Sequence, residues 1–113
     1  MNDKMNLRDQ SLHIAQELAE RLKVIIPSFK MRLYGSYARG EATVDSDIDI
    51  YIEVPQRYFS HKLKGIVSNL AWEIGFRNDR IIQATLYSEE DVWNTPRRAS
   101  PFIQAIMKEG IPV

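Results

Sequence analysis

The chain has 113 residues, a formal net charge of zero, 44% apolar and 27% charged residues, and no cysteine. This is the composition of an ordinary folded protein with one core, so residues 1–113 are expected to form a single domain, and disulfides and thiolate zinc sites are excluded. Neutral charge argues against electrostatic binding of a nucleic-acid backbone, no apolar run reaches the ~18 residues that span a bilayer, and Met1-Asn2-Asp3-Lys4 has no signal-peptide pattern, so the expected compartment is the cytoplasm.

In chain order, Leu7 to Ile26 places Leu12, Ala15, Leu18, Ala19, Leu22 and Ile26 at a helical period, and Pro27 ends the run. Lys30 to Tyr34 predicts a short strand stopping at Gly35. Ser36 to Ala42 predicts a short helix broken at Gly40, and Ile48 to Val54 is the strongest strand, rich in β-branched residues and closed by Pro55. Tyr58 to Phe76 is helical, with Leu63, Ile66, Val67, Leu70 and Ile74 on one stripe. Ile81 to Tyr87 predicts a third strand, and Ser88 reads as the cap of an acidic first turn, Glu89-Glu90-Asp91. Asn94 to Ala99 reads as a polar loop. A final helix opens at Ser100-Pro101 and ends at Gly110. The sum is an α+β fold (α/β-like), a small mixed sheet with helices packed mainly on one face.

Chemistry concentrates between Gly35 and Asp49. A glycine permits backbone angles and close approaches that a β-carbon forbids. Ser36 offers a hydroxyl, the following helical turn offers N–H groups to phosphate oxygens, and Arg39 offers a charge-assisted contact to a triphosphate. With ten residues between it and Ser36, Asp47 is followed by Asp49 as the chain enters an apolar strand, and the i, i+2 spacing puts both carboxylates on one face. Unpaired, they repel, and one is expected to take up a proton; a divalent cation such as magnesium removes the conflict. Either element alone is usually just a turn or a solvated strand edge. Their combination points to a metal–phosphate site.

The string Gly35-Ser36, ten residues, then Asp47-x-Asp49 resembles the nucleotidyltransferase motif of the DNA polymerase β superfamily. The fuller Gly-Ser-x-Ala-Arg-Gly with Asp-Ser-Asp-Ile-Asp is similar to its minimal nucleotidyltransferase branch, as is the end from Ser100-Pro101-Phe102-Ile103 to Glu109-Gly110-Ile111. The resemblance implies a nucleotidyltransferase fold and Mg2+-dependent transfer of AMP from ATP. Gly35, Ser36 and Arg39 would hold nucleotide, and Asp47 and Asp49 would be the catalytic metal ligands. It also implies pairing with a helical HEPN toxin, this chain being the antitoxin that attaches AMP to a toxin tyrosine, in a homo- or hetero-oligomer. Transfer to an antibiotic or RNA ranks last, because 113 residues leave little room for an acceptor domain.

The family also carries a third carboxylate on a neighbouring strand. Within Ile81 to Thr85 there is no acid, and Gln83 is the positional match. An amide orients a water or hydroxyl but takes no proton from it, so an alternative is an antitoxin that neutralises by binding alone. Asp45, Glu53 and Asp79 are weaker substitutes: Asp45 belongs to the approach loop and Glu53 to the far end of its strand. Trp72 and Phe76 are expected in the core, as are Tyr87 and Trp93, with an apolar patch the alternative for that second pair. Tyr37 is placed to stack on a base. His13 and His61 lack ligand spacing, and Arg97-Arg98 is expected to be an exposed loop pair.

Overall fold

The computed structural model describes residues 6–113; residues 1–5, with the Met1–Lys4 stretch read above, lie outside the described residues. Helix α1, Leu7–Lys23, starts where the Asn6 side chain accepts from the Asp9 amide, and buries Ile14, Ala15, Leu18, Ala19 and Leu22. It stops at Lys23, earlier than the periodicity predicts, because Val24 and Ile25 point outward and only Ile26 returns to the core. Strand β1 is Lys30–Tyr34, α2 is Ser36–Arg39, and β2 is Ile48–Val54.

A single turn of 3-10 helix, Gln56–Tyr58, replaces the predicted start of the next helix. Helix α3 begins at His61, because the Ser60 hydroxyl caps Leu63, and runs to Arg77. Strand β3 is Ile82–Ser88, and Ser88 caps α4, Glu89–Trp93. The predicted loop at Asn94–Ala99 contains a 3-10 turn, Pro96–Ala99, capped by Thr95. Helix α5, Pro101–Glu109, leads into a short fourth strand, β4, Ile111–Pro112, which the sequence reading missed. Two residues carry too little periodicity to announce a strand.

The sheet order is β3-β2-β1-β4. β1 runs antiparallel to β2 and β4, while β2 and β3 are parallel. Strand alternation divides the side chains between two faces. Met31, Leu33, Ile48, Ile50, Ile52, Val54 and Leu86 form the main core with α1 and α3. On the opposite face stand Arg32, Tyr34, Asp49, Tyr51, Glu53, Gln83, Thr85 and Tyr87, partly covered by a second cluster of Val92, Ile103 and Ile106 from α4 and α5. The fold is therefore the expected α+β arrangement, with both long helices on one face. No helix among the described residues is long and apolar enough to cross a membrane.

Candidate active site

β1 delivers the chain to Gly35, whose φ of 78° and ψ of −153° lie where essentially only glycine is found. A β-carbon there would overlap the Asp49 carboxylate oxygen and sit 3.2 Å from its Cγ. The glycine thus serves two needs at one position, the turn and the close approach of an acid. α2 follows at once, and Gly40, with φ 76°, closes it in the left-handed conformation. The short helix is seated by Tyr37, 1% exposed, whose hydroxyl donates to the Thr43 carbonyl at 3.0 Å. Tyr37 is therefore a core residue, and the expectation that it stacks on a base is corrected.

Asp47 lies one residue before β2 and Asp49 lies within it, opposite Tyr34 of β1. Burial, reinforced by the charge of Asp47, raises the Asp49 carboxyl above its ordinary range, and Arg39 opposes the rise. Tyr34 beside it is also raised, first by burial and further by Asp49, against a hydrogen bond with Thr85. The parallel register sets Gln83 directly beside Asp49, and the Gln83 amide Nε2 donates to Asp47 Oδ2 at 3.4 Å. Gln83 thus joins the two acids in space. Among the described residues no group of three or more His, Cys, Asp or Glu is gathered for a metal. Two mutually repelling carboxylates beside a neutral amide still form an all-oxygen donor set suited to a hard divalent cation.

A cleft of ≈ 390 Å³ takes in the turn and Asp49 but not Asp47 or Gln83, and is lined by Tyr34, Gly35, Ser36, Arg39, Asp49, Phe102, Ala105, Ile106 and Glu109. A larger hollow of ≈ 1150 Å³, lined by α1 and β1 residues such as Lys23 and Lys30, contains none of the motif residues; chemistry, not volume, locates the site. Arg39 is exposed at the mouth, with its Nε donating to Glu41 at 2.9 Å and one terminal nitrogen 3.5 Å from Glu109. Phe102 meets Tyr34 edge-on at 5.6 Å between ring centroids.

The other candidates fall elsewhere. Glu53 is 3% exposed and accepts from Tyr51 Oη at 2.8 Å and Trp93 Nε1 at 3.0 Å, so it anchors α4 to the sheet. Asp79 is exposed, with φ 56°, at the turn after α3. Trp72 and Phe76, expected in the core, are 69% and 71% exposed and stacked on each other at 5.3 Å, because the buried stripe of α3 runs through Leu63, Val67, Leu70 and Ile74 instead. Tyr87 packs against the second cluster as expected, whereas Trp93, expected in the core, is 39% exposed because its indole is held at the rim by Glu53; Arg97 pairs with Asp91 at 2.8 Å and lies over the Tyr87 ring. Sequence reasoning missed Glu109, Phe102 and Tyr34 as cleft walls; Tyr34 ends β1 next to Gly35, and the return of α5 to β1 brings Phe102 and Glu109 there.

Comparison with known proteins bears on the family and the fold. The nucleotidyltransferase domain family matches residues 14–110. A protein of Methanocaldococcus jannaschii, provisionally named a protein adenylyltransferase, is 32% identical over 81 residues, covering 66% of this chain and 80% of the relative. The crystal structure of a protein from Sulfolobus solfataricus, provisionally described as a nucleotidyltransferase, superposes with a TM-score of 0.52 at 19% identity, over 99% of this chain and 90% of that one. The last likeness speaks to the fold. With the family pattern running from the middle of α1 to the end of α5, the chain belongs to the nucleotidyltransferase domain family.

Proposed function

We propose that this chain is an antitoxin-type minimal nucleotidyltransferase that transfers AMP from ATP to a hydroxyl of a partner protein, a HEPN toxin tyrosine, with Mg2+. The observation that carries the reading is the close approach of Gly35 to Asp49, which puts the Gly35-Ser36 turn and one acid of the pair into one cleft. The family match supports nucleotidyl transfer, and the provisional name of the Methanocaldococcus relative supports a protein acceptor.

In this reading the triphosphate lies along Gly35 and Ser36, with Arg39 turning from Glu41 and Glu109 toward it. Asp47 and Asp49 would hold the cation, and a bound Mg2+ would supply charge neutralisation and polarisation of the α-phosphate. The acceptor oxygen bonds to the α-phosphorus, the α–β anhydride bond breaks, pyrophosphate leaves with that electron pair, and the hydroxyl proton passes to solvent. Gln83 orients the acceptor without taking its proton. Asp47→Ala or Asp49→Ala should abolish transfer of labelled AMP to the co-purified partner while the fold persists; transfer by the double variant would refute the metal assignment.

The Gln83 amide beside the acids favours one second reading, a weak or inactive enzyme that neutralises its toxin by complex formation. Neutralisation that survives loss of both aspartates would support it.

A further inference from the structure

β3 is an edge of the sheet, paired only with β2. Exposed edges are ordinarily guarded by charge, proline or a covering element, yet Ile82–Ser88 reads Ile-Gln-Ala-Thr-Leu-Tyr-Ser, with neither charge nor proline. Beside this edge a groove of ≈ 350 Å³ runs between β3 and α3, walled by Trp72, Phe76, Ile81 and Ile82. Trp72 and Phe76 are held face to face, and Ile81 is 62% exposed. At the ~150–250 Å² that an aromatic side chain presents, the patch amounts to roughly 300–400 Å². This reaches the size that is often functional on a monomer. It is also about half of the ~800 Å² per partner of a stable interface. A second copy of the chain would be held too weakly by it, whereas a single extended segment fits.

We propose that the β3 edge and the Trp72–Phe76 groove receive an extended segment of the acceptor protein, added to the sheet as a fifth strand; this rests on the protein-modifying function proposed above. Strand addition supplies backbone hydrogen bonds, and alternate side chains point to opposite faces. On the α3 face, every second residue of the segment enters the groove. On the other face, the residues between fall next to Gln83, which touches Asp47 and neighbours Asp49. Adjacent strands lie about 4.8 Å apart, so the incoming strand is roughly 9–10 Å from β2. Strand side chains stand roughly perpendicular to the sheet, so a hydroxyl-bearing residue of the segment stands beside Gln83 on the face of the acids, flanked on both sides by apolar residues that enter the groove.

The test uses the isotope-labelled full chain and a nine-residue peptide, Lys-Val-Thr-Val-Tyr-Val-Thr-Val-Lys, followed by NMR shift changes, with a scrambled peptide that breaks the alternation. The expected result is movement of the β3 amides and the Trp72 indole, abolished with the scrambled peptide and weakened about tenfold by Trp72→Ala with Phe76→Ala. Asp47→Ala with Asp49→Ala should leave this binding intact, which separates docking from chemistry. Shifts confined to other surfaces, or none at millimolar peptide, overturn the proposal. So does sedimentation showing a dimer that Trp72→Ala converts to monomer. AMP transfer to a partner that persists undiminished in the Trp72→Ala, Phe76→Ala variant overturns the docking site and leaves the enzymatic reading standing.

Discussion

The α-carbon of Gly35 faces the carboxylate of Asp49 so closely that a methyl group cannot stand between them. The turn that would hold phosphate and the strand that would hold metal are therefore one packed unit.

Gly35→Ala should show this. The backbone conformation costs an alanine ~1–3 kcal/mol, and the overlap with Asp49 adds to it, so thermal unfolding should fall by on the order of 5–15 °C. In Gly35→Ala with Asp49→Ala the overlap part should vanish, giving a non-additive double-mutant cycle.

Asp49→Asn should stabilise the metal-free protein while removing its response to Mg2+. The folded carboxyl is raised above its ordinary range, so this group contributes stability at low pH that is lost as pH rises through the folded-state pKa. At neutral pH the charged form is a burden, which solvent screening keeps below about 1 kcal/mol. Melting curves of both proteins from pH 4 to 8 should converge at the acid end and separate toward neutrality.

Gln83→Asp would place a third carboxylate beside Asp49 and Asp47. Mg2+ binding by calorimetry should tighten about tenfold, equivalent to ~1.4 kcal/mol, and AMP transfer should rise. Unchanged transfer would mean that Gln83 does not occupy the position of a missing base.

Glu53→Ala removes the acceptor of two donors, the buried Tyr51 hydroxyl and the Trp93 indole. The Tyr51 hydroxyl is left as an orphaned buried donor, which costs ~1–3 kcal/mol, while the Trp93 indole, 39% exposed, can turn to water, so denaturant unfolding should show a loss of about 1–3 kcal/mol. Because α4 leads through the Pro96–Ala99 turn to α5, nucleotide affinity should fall with it.

Much of this was legible in the chain because local rules and tertiary demands agree. Ile48–Val54 is apolar at every position but two, and it forms the central strand. Gly35 and Gly40, singled out as turn and break, both have positive φ. Gln83 was placed by elimination, as the polar residue in the middle of its strand, and the parallel register puts it beside Asp49. What sequence could not yield was orientation across elements. Trp72 and Phe76 follow helical spacing, but their angular position places them outside the buried stripe. Tyr37 follows the motif like a ligand contact, yet its ring fills the core. Glu109 meets Arg39 across 70 residues, a contact that exists only after β4 closes on β1.

The chain contains two tryptophans, and the fold gives them different surroundings. Trp93, 39% exposed, donates its indole N–H to the buried Glu53 carboxylate at the end of α4, whereas Trp72, 69% exposed, stands against the Phe76 ring. Their emission should differ in wavelength and in quenching by iodide. Substituting either one by phenylalanine leaves a native optical probe, one for loosening of the helical cover over the cleft and one for arrival of a chain at the sheet edge, so the two events can be timed separately in a stopped-flow cell.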